Sequence, residues 1–205
     1  GGLLRLLDAA DRWKESRGTP GGHRPLAGKY VALIFDKAST RTRLSLEVAV
    51  AELGGHPVVI TSQTSQLGRG EPLSDTARVL SRMVHAITLR TFEHTRLLEL
   101  ARASEVPVLN ALTDHSHPMQ LLADLQTVRR AKKQLKGLVY AWIGDGNNMA
   151  NSWLEAAGLL QLELALACPE GFDPDTGEVE RARERGATVR IVRDPRQAAE
   201  GADVI

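Results

Sequence analysis

Short apolar runs alternate with segments of helical period along most of the chain, and this rhythm constrains the fold more than any single motif. "KYVALIF" (29–35), "HPVVIT" (56–61), "HAITLRT" (85–91) and "VPVLNAL" (106–112) each read as a strand. "LVYAWI" (138–143), "LELALA" (162–167) and "TVRIV" (188–192) continue the series, with helix-like stretches between them. Near-continuous apolar strands separated by helices predict parallel sheets covered on both faces. The expected fold class is therefore α/β, with two doubly wound parallel-sheet domains. Lys136-Gly137 marks the change of domain, giving 1–135 and 136–205. Only about three strands follow that boundary, against five or six in a complete doubly wound domain. "GADVI" (201–205) opens a further strand, so the second domain is expected to be incomplete in this chain.

Several function classes are disfavoured by composition. The 26 Lys+Arg against 25 Asp+Glu nearly cancel, so any anion site must be local rather than a general nucleic-acid surface. Basic "RRAKK" (129–133) falls late in a helix, where cations oppose the negative end of the dipole, and reads as a solvated face. The single cysteine, Cys168, cannot form an intramolecular disulfide and fits a reducing compartment. No apolar run reaches the roughly 18–20 residues of a membrane span. "GGLLRLLDAADRWKESRG" (1–18) has helical apolar spacing at Leu3, Leu4, Leu7 and Ala10, and lacks the pattern of a secretory signal. A soluble, cytoplasmic protein is expected.

Chemistry concentrates after predicted strands. In "FDKASTRTRLSLEVAV" (35–50), Ser39, Thr40, Arg41, Thr42 and Arg43 follow a buried strand and open a helix. Unpaired first-turn N–H groups and the helix dipole favour an anion, and the hydroxyls and guanidinium forks add donors. The same residues also suit an ordinary N-cap at Ser39 with solvated arginines; the motif alone admits both. "SQTSQLGRGEPLS" (62–74) is a polar loop long enough to suggest function, and Ser74-Asp75 reads as a helix cap. In "DHSHPMQ" (114–120), His117-Pro118 and Gln120 enter a helix after a strand, where open α/β sheets bind ligands. His115 and His117 lack the companions of a metal site. "IGDGNNMANS" (143–152) resembles a dinucleotide turn, but the third glycine would fall at Met149. Asn147 and Asn148 suit either capping or an amino-acid ligand. Arg90 adds a cation at a fourth strand end.

Taken together, "FDKASTRTR", "SQLGRGEPLSDTARVLSRM", "LRTFEH", "VPVLNALTDHSHPMQLLADLQT" and "WIGDGNNMANS" resemble ornithine carbamoyltransferase, within the aspartate/ornithine carbamoyltransferase superfamily, from about Leu3 to Ile205. The resemblance implies transfer of a carbamoyl group from carbamoyl phosphate to the δ-amino group of L-ornithine, giving citrulline and phosphate. Residues 1–135 would bind carbamoyl phosphate and 136–205 would form part of the ornithine-binding domain. Ser39, Thr40, Arg41 and Thr42 would hold the phosphate, with Arg43 bracing the loop. Arg90, His117 and Gln120 would act at the carbamoyl group, with Pro118 and Met119 completing that segment, and Asn148 would hold ornithine. Gln66 would reach the carbamoyl phosphate of a neighbouring subunit in a homotrimer or a multiple of trimers. No metal or organic cofactor is implied, and neither a nucleic acid nor a membrane as partner.

The family's later D-x-W-x-S-M-G and H-C-L-P segments do not occur here, and Cys168 follows a different strand. Two other readings follow: a noncatalytic carbamoyl-phosphate-binding fragment or pseudoenzyme, and a carbamoyltransferase acting on putrescine or a modified ornithine.

Overall fold

The computed structural model describes every residue except Gly1, Pro20, Gly21, Ala38, Thr64, Leu67, Gly68 and Arg69. Part of the polar loop singled out above, and of the turn after the first helix, thus lies outside the described residues. The chain divides into two compact units, residues 18–114 and residues 1–17 with 115–205.

In the 18–114 unit the elements are β1 (Tyr30–Phe35), α2 (Thr40–Glu52), β2 (His56–Thr61), α3 (Leu73–Ser81), β3 (Ala86–Arg90), α4 (His94–Ala103) and β4 (Val108–Leu112). The sheet order is β2-β1-β3-β4 and every pairing is parallel. Alternation along β1 explains its unbroken apolar sequence. Val31, Leu33 and Phe35 pack with Val50 of α2 on one face, while Ala32 and Ile34 pack with Ala77 of α3 and Leu97 of α4 on the other. Leu33 and Ile34 are both fully buried, each worth about 1.5–3 kcal/mol of apolar transfer. The stop at Gly54-Gly55 is real: Gly54 has φ +90°, a conformation that favours glycine, and its N–H returns to Ala51.

Ser74 is not the cap of α3. The helix starts one residue earlier, at Leu73 with Pro72 before it, and the Ser74 N–H is instead accepted by Glu99 Oε1 of α4 at 3.2 Å. A tertiary carboxylate does the work that the local sequence assigned to a side chain of the helix itself.

The other unit comprises α1 (Gly2–Ser16), α5 (Pro118–Lys132), β5 (Val139–Ile143), α6 (Asn148–Leu160), β6 (Glu163–Ala167), α7 (Thr176–Glu184), β7 (Thr188–Val192) and α8 (Pro195–Ala199). Its sheet, β5-β6-β7, is also parallel. Val204 bridges the free side of β5 at Tyr140 in the parallel sense. Leu7, Leu125, Leu154, Leu164 and Leu166 form the larger core layer, and Ala141, Ala165, Ala167 and Ala198 the smaller one. The small residues let α8 lie close to the sheet. Among the described residues no helix is long and apolar enough to cross a membrane.

Candidate active site

In the 18–114 unit the chain leaves β1 for β2 on one side and returns to β3 on the other. The C-terminal ends of β1 and β3 therefore flank a switch point, where an open α/β sheet offers a crevice. Phe35 and Arg90, the last residues of these strands, are register partners. Ser39 occupies the N-cap of α2 with an extended backbone, yet its side chain makes no cap hydrogen bond. Arg90 crosses the crevice, and its Nη1 donates to Thr42 Oγ1 at 2.9 Å. Burial lowers the guanidinium pKa of Arg90, and the nearby positive charge of Arg41 lowers it further. Arg90 Nε is buried and has no partner among the described residues. Two mutually repelling cations and an unfilled donor at a helix start make a site that an anion would relieve.

The acid in this loop is accounted for. Asp36 accepts from Arg96 Nε at 3.3 Å and Nη2 at 3.2 Å, and its own N–H donates to the Arg90 carbonyl. The Lys37 ammonium lies 4.7 Å from the Phe92 ring centroid. Beside the loop opens a cleft of ≈ 580 Å³ whose lining includes Ser39, Thr40, Thr61 and Ser62. Gln66 is exposed in the turn after β2, its carbonyl accepting from Glu71 N–H.

In the other unit, α5 begins at Pro118, whose missing N–H costs nothing at the first helical position. His117 is its N-cap, and its Nδ1 accepts from Gln120 N–H at 3.4 Å. That bond assigns the proton of the neutral imidazole to Nε2, which makes Nε2 a donor. The Gln120 amide donates to Asp124 Oδ1 at 2.8 Å. Met119 is half-buried in the same first turn.

The turn after β5 serves two purposes. Asn147 caps α6, accepting from Met149 N–H at 2.8 Å and Ala150 N–H at 3.3 Å, which leaves Asn148 as the first helical residue. Gly146 donates to the Phe172 carbonyl at 2.7 Å, and a Cβ on it would lie 2.2 Å from Pro174 N. The second glycine of "GDG" is thus required by a neighbouring loop, and a pyrophosphate could not approach that face. Ser152 Oγ accepts from His117 N–H and donates to the Asn148 carbonyl, both at 2.8 Å. Asn151 donates to the His115 carbonyl at 3.1 Å. Cys168 is buried, and burial, with Asp173 nearby, pushes its thiol pKa up, so it is poorly suited to act as a nucleophile.

Residues 2–130 match the carbamoyl-P binding domain of aspartate/ornithine carbamoyltransferase, and residues 136–205 match its Asp/Orn binding domain. The chain belongs to the aspartate/ornithine carbamoyltransferase family. It is 52% identical over 193 residues to an ornithine carbamoyltransferase of Geobacter sulfurreducens, covering 94% of this chain and 63% of that protein. To the anabolic ornithine carbamoyltransferase of Pseudomonas aeruginosa it is 45% identical over 203 residues, or 99% and 66% of the two chains. The solved ornithine carbamoyltransferase of Pyrococcus furiosus superposes with a TM-score of 0.94 at 42% identity, covering 99% of this chain and 66% of that one. The chain thus spans just under two thirds of the length of the Geobacter relative.

Within this carbamoyltransferase-family chain the residues expected from sequence fall into two local groups. Ser39–Thr42 and Arg90 gather at the β1/β3 switch point. His117, Gln120 and Asn148 cluster at the starts of α5 and α6, joined through Ser152. The roles of Ser152, Asn151 and Arg96 were not read from the sequence. Ser152 did carry one signal, since it stands four residues after Asn148 and so on the same helical face.

Proposed function

We propose that this protein transfers the carbamoyl group of carbamoyl phosphate to the δ-amino group of L-ornithine, yielding L-citrulline and phosphate. The observation that carries this reading is the Arg90–Thr42 hydrogen bond across the switch point, with Arg41 close enough to bear on Arg90. Ser39, Thr40, Arg41 and Thr42 hold the phosphate at the start of α2. The uncharged δ-amine attacks the carbonyl carbon, and charge grows on the carbonyl oxygen. Arg90 and Thr40 are donors for that oxygen, each aligned donor being worth roughly 3–4 kcal/mol, and His117 keeps the role at the carbamoyl group that the family resemblance implies. The bond from carbon to the bridging oxygen breaks, phosphate departs into the cradle, and the attacking nitrogen sheds a proton. Gln120 orients the carbamoyl amide, Pro118 and Met119 shape its approach, and Asn148 holds the amino acid. No step calls for a metal or organic cofactor.

On the same reading the domain that binds carbamoyl phosphate runs to about residue 135 and the partial ornithine domain follows, a reading supported by the separate domain matches at 2–130 and 136–205. The exposed Gln66 serves the site of a neighbouring subunit in a trimer. The protein works in the cytoplasm, and the likeness to an anabolic relative supports a biosynthetic direction toward arginine.

Isothermal titration of the complete gene product with carbamoyl phosphate, followed by a citrulline assay, tests the reading. Saturable binding and citrulline formation are expected. Binding without turnover on ornithine would leave a noncatalytic carbamoyl-phosphate protein, and turnover on putrescine instead would change the acceptor.

A further inference from the structure

Ser152 is 1% exposed, and its hydroxyl is engaged in both directions. Its proton goes to the Asn148 carbonyl at 2.8 Å, and its oxygen takes the His117 backbone N–H at 2.8 Å. One hydroxyl therefore connects the N-cap of α5 to the first residue of α6. Residue 115 is held separately. Asn151 Nδ2 donates to its carbonyl at 3.1 Å, Asn151 Oδ1 accepts from Asp175 N–H at 3.4 Å, and His115 Nε2 lies 3.0 Å from Glu178 Oε1. Removing the Ser152 hydroxyl would thus leave the preceding loop anchored and take one tie from the His117 backbone, whose carbonyl still accepts from Leu121 N–H at 3.2 Å.

We propose that Ser152 is a positioning residue that keeps the His117 imidazole in register with the acceptor site at Asn148. The proposal rests on the carbamoyl-transfer reading. The His117 backbone is non-helical, with φ −135° and ψ 71°, and the direction of its side chain follows from that backbone. Without the hydroxyl, the part-buried His117 N–H loses its acceptor at 2.8 Å, and the residue shifts to recover one. A shift of about 1 Å in a positioned group can cost on the order of 100-fold in rate. The phosphate cradle belongs to other residues and is untouched by this change.

The test uses Ser152→Ala together with the isosteric pair Ser152→Thr and Ser152→Val in the complete gene product. Ser152→Ala is expected to lower kcat by about 10- to 100-fold, with the KM for carbamoyl phosphate changed less than about threefold. Hydrogen exchange at the His117 amide should quicken in Ser152→Ala and Ser152→Val and stay slow in Ser152→Thr, which keeps the hydroxyl. Ser152→Thr should likewise retain most of kcat where Ser152→Val does not. Equal exchange and equal kcat in the Thr and Val variants would overturn the proposal. A wild-type protein that forms no citrulline would instead overturn the functional reading, and the exchange comparison would still decide whether Ser152 positions His117.

Discussion

Arg43 Nε stands 2.6 Å from Glu47 Oε1, one turn further along α2, an exposed pair of the kind worth about 0.3–0.5 kcal/mol. Arg41, two residues earlier, is felt electrostatically by Arg90 instead. This difference in surroundings separates the two arginines that the sequence could only present as a pair. Arg41→Ala is expected to weaken carbamoyl phosphate binding by about 100-fold, the scale of losing a charge-assisted hydrogen bond. Arg43→Ala should cost less than about threefold, since only a surface ion pair is lost. Titration calorimetry at fixed ionic strength measures both, and equal losses would contradict the division of roles. The local sequence left Ser39 open as a capping residue. It does hold the N-cap position, but without a capping bond, so its hydroxyl is not committed to the helix.

At the scale of elements, the approach of the turn after β5 to the loop before α7 has a definite cost attached. Gly146→Ala would place a methyl against the backbone of Asp173 and Pro174. Such overpacking against backbone is expected to destabilise by about 1–3 kcal/mol, read as a lower midpoint in urea. An unchanged midpoint would show that the loop yields freely. Strand and helix order was legible from period alone, because β1, β3, β5 and β6 carry runs of consecutive buried residues while the helices between them bury one side. The entry into α5 was legible too, since a proline suits the first helical position and Pro118 occupies it. What periodicity could not supply was the partner of each polar group. Glu99 at the start of α3, Arg96 on Asp36 and Ser152 on His117 are separated from their partners by 25, 60 and 35 residues. Contacts of that range exist only once the sheet order is known.

At the scale of the whole molecule, the 115–205 region holds a buried phenol, Tyr140. Tyr140 donates its hydroxyl to the Leu135 carbonyl at 2.9 Å, and burial, aided by the charge of Asp203, pushes its pKa up to about 12 from 10.0. The unfolded phenol loses its proton near pH 10 while the folded one keeps it, so the stability it contributes is whole below pH 10 and declines toward pH 12. Unfolding midpoints measured from pH 9 to 11.5 should therefore fall more steeply in wild type than in Tyr140→Phe. Parallel slopes would remove Tyr140 as the cause. The way the chain is apportioned between its two units has a further consequence during synthesis. Helix α1 packs Leu7 into the core built around α5, and Asp11 binds Gln126 and Arg129. Asp11 and Gln126 are 115 residues apart, so at about 5–20 residues per second the ribosome needs roughly 6–23 s to deliver the partner. The intervening 18–114 unit can fold in that interval. The apolar stripe of α1 meanwhile waits in solvent, and the nascent chain is most open to chaperones and to aggregation before α5 emerges.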